Sequence, residues 1–115
     1  MKEDIRSENI EVSSEAIAAL AAQAAGEVEG ATVSVQKNAG ILTSRVKRGF
    51  VHKGIKVVRE ENSCRLTVYL KVDYGTNMPI LAEEIRNKVK EYVEGLTEII
   101  VEHVEIVIED VEPPA

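Results

Sequence analysis

The sequence predicts an α+β two-layer sandwich: a mixed sheet of about four strands with two helices on one face, in the order β-α-β-β-β-α-β. Three observations predict it. Two segments carry apolar residues at helical spacing, each with one apolar stripe. Several other segments alternate apolar and polar residues, which is the pattern of strands with one buried face. The chain has 115 residues, one domain's length, and a chain of that size buries roughly 65% of its unfolded surface. Elements with a single apolar face are buried most economically as one sheet with both helices on the same side.

The elements follow in order. Residues 1–9 are polar and read as a flexible tail, residues 10–112 as a single α+β domain, and 113–115 as a second tail. Ile10 and Val12 alternate with polar residues and suggest a short strand. A helix is predicted over Ser14–Val28, with Ser13 or Ser14 as N-cap and Glu15 in the positive first turn. Its stripe is Ile17, Leu20, Ala21, Ala24 and Val28, and seven alanines between positions 16 and 25 make it slim. Gly30 is its stop. Ala31, Val33 and Val35 then alternate with polar residues as a strand, whereas residues 38–54 show no clear period. Ile55–Glu60 reads as a strand and Asn62-Ser63 as a turn. In the next strand Leu66, Val68, Leu70, Val72 and Tyr74 share one side. A second helix starts near Pro79, buries Leu81, Ile85, Val89, Tyr92, Val93 and Leu96, and ends at Gly95. The last strand runs from Ile100 to Val111 with Val104, Ile106 and Ile108 inward. Tyr69, Val101 and Val107 are expected on the outward sheet face. Pro113 and Pro114 end the strand, because proline cannot donate to a ladder. The turn at Asn62 is antiparallel and the strand–helix–strand unit after it parallel, so the sheet is mixed.

Composition narrows the function classes. Aromatics are 3% of the chain, with no Trp, which argues against sites that stack bases or sugars. The net charge of −6 disfavours coating of the whole molecule onto nucleic acid or anionic lipid. The single Cys64 provides no internal disulfide and fits a reducing compartment. The first ten residues lack a signal-peptide pattern. The longest apolar run, Ala16–Ala22, is far short of the roughly 20 residues that cross a bilayer. The expectation is a cytoplasmic protein that does not insert into a membrane.

Candidate chemistry is sparse. His52 and His103 are far apart and lack metal-ligand spacing. Cys64 has no histidine nearby in sequence and reads as a small buried hydrophobe. Gly49 and Gly54 lack the Lys-Ser/Thr of a phosphate loop. No catalytic set, metal site or cofactor fingerprint emerges, so the chain reads as non-enzymatic with no cofactor.

Charge distribution says more. Residues 44–59 hold six basic side chains, Arg45, Lys47, Arg48, Lys53, Lys56 and Arg59, and no acid; His52 lies among them. Residues 98–112 hold six acids and no Lys or Arg. The basic loop Arg45, Lys47, Arg48, His52, Lys53, Lys56 and Arg59 is the candidate partner-binding segment. Glu102, Glu105, Glu109 and Asp110 are the candidate acidic counter-surface. Contact between the two, in another copy or in a partner, is the leading reading; two different patches on one molecule give a heterologous contact. The alternative is a small RNA-binding, KH-like module using the basic loop 44–59. The spacing of Gly49 and Gly54 does not give a Gly-x-x-Gly clamp, so RNA is the weaker partner. An anionic membrane surface is a third, with Phe50 as the one insertion candidate.

Several pieces of the chain together resemble a known family. They are the Ile10-to-Leu20 opening with its Ser-Ser-Glu cap, Glu27-Val28-Glu29-Gly30, Gly54-Ile55-Lys56-Val57, and Val72-Asp73-Tyr74-Gly75 with Met78-Pro79. The last is the Val101, Val104, Ile106, Ile108, Val111 strand. In this order and spacing, over residues 10–111, they resemble the alkaline-shock or Gls-type envelope stress response proteins of bacteria. Residues 37–53 depart from that pattern. The resemblance implies a non-catalytic accessory protein of the cell envelope in Gram-positive-type bacteria. It implies action through protein–protein contact, with an integral membrane anchor protein as partner, and self-association at the membrane or contact with lipid-synthesis machinery. Its place would be the cytoplasm, or the inner face of the membrane by way of that partner.

Overall fold

The computed structural model describes residues 11–35 and 49–113. Expectations for the two tails, for residues 36–48 and thus for Arg45, Lys47 and Arg48 lie outside the described residues. The elements are α1 (Ser14–Gly26), β1 (Ala31–Val33), β2 (Gly49–His52), β3 (Ile55–Arg59), β4 (Ser63–Asp73), α2 (Met78–Thr97) and β5 (Ile100–Glu112). The fold is α+β with a five-stranded mixed sheet. Three pairings are antiparallel and the β4–β5 pairing is parallel.

β4 organises the sheet. Along one of its edges β5 runs for the full length, from Ser63 opposite Ile100 to Asp73 opposite Glu112. Its other edge is shared by two short strands placed end to end. β3 pairs with Cys64–Val68 and β1 with Leu70–Val72. Tyr69 lies at their junction: its N–H donates to Gly54 O at 3.1 Å and its carbonyl accepts from Ser34 N–H at 2.7 Å. β2 closes this side as a hairpin with β3, His52 opposite Ile55. Lys53 (φ 53°) and Gly54 (φ 80°) form the two-residue turn. Positive φ at both central residues matches strand twist in a tight hairpin.

Both helices pack on the face of the sheet formed by Cys64, Leu66, Val68, Leu70 and Val72. Those residues are buried together with Ile17, Ala18, Ala21, Ala24 and Ala25 of α1 and Leu81, Ile85, Val89 and Val93 of α2. The small side chains of α1 let it lie close to β3 and to α2. Ser13 caps α1, its Oγ accepting from Ala16 N–H at 3.0 Å. Asn77 caps α2 in the same way, Oδ1 accepting from Ile80 N–H at 3.1 Å. These caps satisfy N–H groups that have no partner within the helix.

The structure departs from the sequence reading at definite points. Val12 is not in a strand; its carbonyl accepts from Arg59 Nη1 at 2.6 Å, so a side chain takes the group a ladder would have used. The extra strand is β2, in the stretch without a clear period, and the element order among the described residues is therefore α-β-β-β-β-α-β. α1 ends at Gly26 and not at Val28. α2 passes through Gly95 and ends at Thr97, where Glu98 takes the left-handed conformation (φ 66°). Thr97 Oγ1 supports this end, donating to Val93 O and accepting from Ile99 N–H. Leu96 and Tyr74 are exposed rather than inward. Val101 is buried, not outward. The cause is a β-bulge: Cys64 opposes Val101 but Arg65 opposes His103, so one extra residue, Glu102, resets the alternation. A second irregularity, Leu70 opposite Ile108 but Lys71 opposite Asp110, resets it again at Glu109.

Gly54 sits where a side chain does not fit. A Cβ there would lie 2.5 Å from both Ser34 O and Val33 Cγ1. Gly75 also has positive φ (95°) but open space around it. Gly54→Ala is expected to destabilise the fold by about 3 kcal/mol and Gly75→Ala by about 1 kcal/mol. Chemical denaturation of both variants checks this; equal costs would show that the β1–β3 junction is not tight.

Candidate functional site

No described element covers the face of the sheet away from the helices. Register places its residues in rows. Val58, Arg65 and His103 form one row, Lys56, Thr67 and Glu105 a second, Tyr69 and Val107 a third, and Thr32, Lys71 and Asp110 a fourth. Thr67 is buried within this face, while Tyr69 and Val107 are half-buried. The Tyr69 hydroxyl is pushed up from its ordinary pKa, mainly by burial and then by the carboxylates of Glu105 and Glu109. Glu109 also accepts from Ser34 Oγ at 2.7 Å, reaching across β4.

The four candidate basic residues that are described do not form one patch. Lys56 lies on the open face. His52 lies on the helix side, its Nε2 3.7 Å from Glu15 of α1. Arg59 is also on the helix side, where it holds Val12. Lys53 is exposed at the hairpin turn. Residues 49–59 are thus a β-hairpin, and strand alternation divides its charges between two faces. The acidic candidates are better gathered, all on β5. Glu105 and Asp110 lie on the open face. Glu102 sits at the first bulge with its Oε1 3.5 Å from Arg65 Nε. Glu109 sits at the second. Arg65 and Lys71, which the sequence reading left out, intersperse cations among these acids. Their signal was the outward side of β4's own alternation.

A second arrangement escaped the sequence reading. Lys90 and Glu94 of α2 hold both main-chain groups of Val101. Glu94 Oε2 accepts from Val101 N–H at 2.8 Å and Lys90 Nζ donates to Val101 O at 3.0 Å. The two side chains also pair with each other at 3.0 Å. The Val101 N–H, more than Lys90, holds the Glu94 carboxyl below its ordinary pKa. The i, i+4 Glu/Lys spacing was visible, but its target lies beyond the helix.

Cys64 is fully buried at the start of β4. Burial pushes its thiol up to about 11, so it is a poor nucleophile at neutral pH. His103 and His52 lie on opposite faces of the sheet. Among the described residues no group of three or more His, Cys, Asp or Glu could hold a metal ion. No described helix is long and apolar enough to cross a membrane. Two open clefts flank the helices. One of about 680 Å³ lies between the end of α1 and the middle of α2, where Lys88 Nζ is 3.7 Å from Glu27 Oε1. The other, of about 610 Å³, lies beside Val12, Arg59, Leu96 and Ile100.

Comparison with known proteins fits the architecture into a family. Residues 2–113 match the model of the alkaline shock protein 23 family, described as having a cell envelope-related function. The chain belongs to this family. No curated protein matches it in sequence. Among solved structures, a zinc form of the MamM CTD superimposes with a TM-score of 0.47 at 23% identity, covering 84% of each chain.

Two titrations follow from this geometry. The folded Cys64 thiol keeps its proton to about pH 11, while the unfolded thiol loses it from its ordinary value of 9.0. Its contribution to stability is therefore intact below pH 9 and lost as pH rises towards 11. Cys64→Ala should flatten that alkaline decline, and a thiol reagent at pH 8 should label native protein far more slowly than unfolded protein. Glu94 has the opposite sign. Its lowered pKa contributes stability above its ordinary value of 4.5, lost as pH falls through the folded value. Glu94→Gln should cost about 1 kcal/mol at pH 7 and less at pH 3, read from urea midpoints at the two pH values.

Proposed function

We propose that this chain is a non-catalytic accessory protein of the bacterial cell envelope that works through protein–protein contact. It is held at the inner face of the cell membrane by an integral membrane partner. The observation that carries this reading is the match to an envelope-related family over residues 2–113. Support comes from the distribution of the chain's chemistry. The one thiol is buried and protonated, the histidines lie on opposite faces, and polar side chains of both signs are spread over a sheet face that no described element covers. Such a mixed face suits recognition of another protein surface, where charge complementarity sets specificity. Self-association and contact with lipid-synthesis machinery are narrower versions of the same reading. The RNA-binding alternative has less behind it: a phosphate backbone needs its cations on one side, whereas Lys56 and Arg59 lie on different faces.

Affinity purification from native cells, with the membrane fraction solubilised and with or without nuclease, tests the proposal. An integral membrane protein that co-purifies in a nuclease-resistant manner is the expected result. Partners lost on nuclease treatment, with RNA enriched, would overturn it.

A further inference from the structure

The outer edge of β5 has an unusual arrangement of main-chain groups. Among the described residues no strand lies against it, although β5 is the longest strand of the sheet. A bare edge offers unpaired N–H and C=O groups to any extended chain. Here it is stopped at both ends by side chains. At Val101 both groups are taken by Glu94 and Lys90. At Val111 the N–H donates to Asp110 Oδ1 at 2.9 Å. Between these stops, and between the two bulges, His103–Ile108 runs in unbroken register with Arg65–Leu70. In a parallel ladder alternate residues bond to the neighbour. Tyr69 turns its main-chain groups to β3 and β1, so Leu66, Val68 and Leu70 turn theirs to β5, and the outward-turned groups on β5 are those of their opposite residues Val104, Ile106 and Ile108.

The side chains around this segment define what fits it. Towards the helices stand Val104, Ile106 and Ile108, the last two only half-buried. Towards the open face stand His103, Glu105 and Val107. Residues 98–112 include six acids and neither Lys nor Arg. A second β5 laid along this edge would bring Glu105 and its acidic neighbours against like charges, which is destabilising. A strand with cations on one side and apolar groups on the other meets both needs.

We propose that the outer edge of β5 between Val104 and Ile108 is a docking edge for an extended segment of a partner protein in which Lys or Arg alternates with apolar residues. The segment adds as a sixth strand. Its main chain bonds to Val104, Ile106 and Ile108, its apolar side chains extend the core beside Ile106 and Ile108, and its cations lie beside Glu105. Main-chain bonds give affinity and alternate side chains give specificity, as in other strand additions. The Lys90–Glu94 clamp fixes where the added strand begins. This inference rests on the protein-contact reading above and names the chemistry of the partner.

The probe is a capped eight-residue peptide of alternating Lys and Val, used with the full chain. It should bind saturably at low salt and weaken as salt rises. On binding, amide exchange of Val104, Ile106 and Ile108 should slow at least tenfold, while Glu105 and Val107, already bonded to β4, change little. Methylating every backbone nitrogen of the peptide keeps its charge and should weaken binding at least tenfold; so should replacing its Lys by Glu. In Glu94→Ala the slowed set should extend to Val101. Equal affinity for the methylated peptide would reduce the effect to non-specific charge attraction and overturn the proposal. Protection elsewhere than on β5, or no binding at low salt, would overturn it as well. Either result leaves the envelope reading to the co-purification, which does not depend on this edge.

Discussion

The whole sheet hangs on the main chain of Tyr69. Its two groups point to the same edge of β4, and each serves a different strand: the N–H reaches Gly54, the carbonyl receives Ser34. One residue thereby seats β3 and β1 end to end on a strand that could have carried a single long neighbour. Two chain ends can approach so closely only if one lacks a side chain, and Gly54 meets that condition. The same glycine has the positive φ needed by the turn into β2. The sequence Lys53-Gly54 thus fixes the hairpin and the junction together. The core follows, because the junction aligns Val33, Ile55 and the inward side of β4 under the slim, alanine-rich α1.

Much of this was legible in the amino-acid sequence. Both helices, β3, β4 and the parallel return of β5 follow from periodicity, and the Ser13 end of α1 is a polar cap of the usual kind. What was hidden has physical causes. β2 is four residues long, too short for a period to stand out. Its turn uses Lys53 at positive φ, where Asn or Asp is the stronger signal. Along β5 a strict alternation assigns Val101 to the wrong face, because each bulge shifts the phase by one residue. The spaced set Val101, Val104, Ile106, Ile108, Val111 is the true inward stripe, and its irregular intervals are the trace of the bulges.

The candidate site was legible only by half. Five of the six acids of residues 98–112 fall on β5, Glu98 alone capping the end of α2, so their sequence clustering survives folding. The basic residues of 44–59 do not stay together in the described part, because a hairpin alternates its side chains. On the helix side, where the register puts them, His52 meets Glu15 and Arg59 meets the Val12 carbonyl. Arg59 illustrates the competition: its guanidinium meets the Val12 carbonyl, an acceptor that a strand at Val12 would have paired. A charge count along the chain cannot foresee that division, since it depends on which face each residue takes.

The bulges also explain how β5 can be acidic, edge-placed and stable at once. Bulges and charges are common means by which proteins keep a sheet edge from growing. If they were only protective here, a guard at each end of a uniformly charged strand would suffice. Instead the clamp of Lys90 and Glu94 seals Val101, the Asp110 carboxylate covers Val111, and the regular stretch between them is left with its half-buried Ile106 and Ile108. A half-buried apolar stripe beside unpaired main chain gains free energy when a further strand covers it. The acids then decide which strand that is, repelling another β5 and favouring a cationic one. On this physical account the edge discriminates between partners by charge, and the same features limit uncontrolled growth of the sheet.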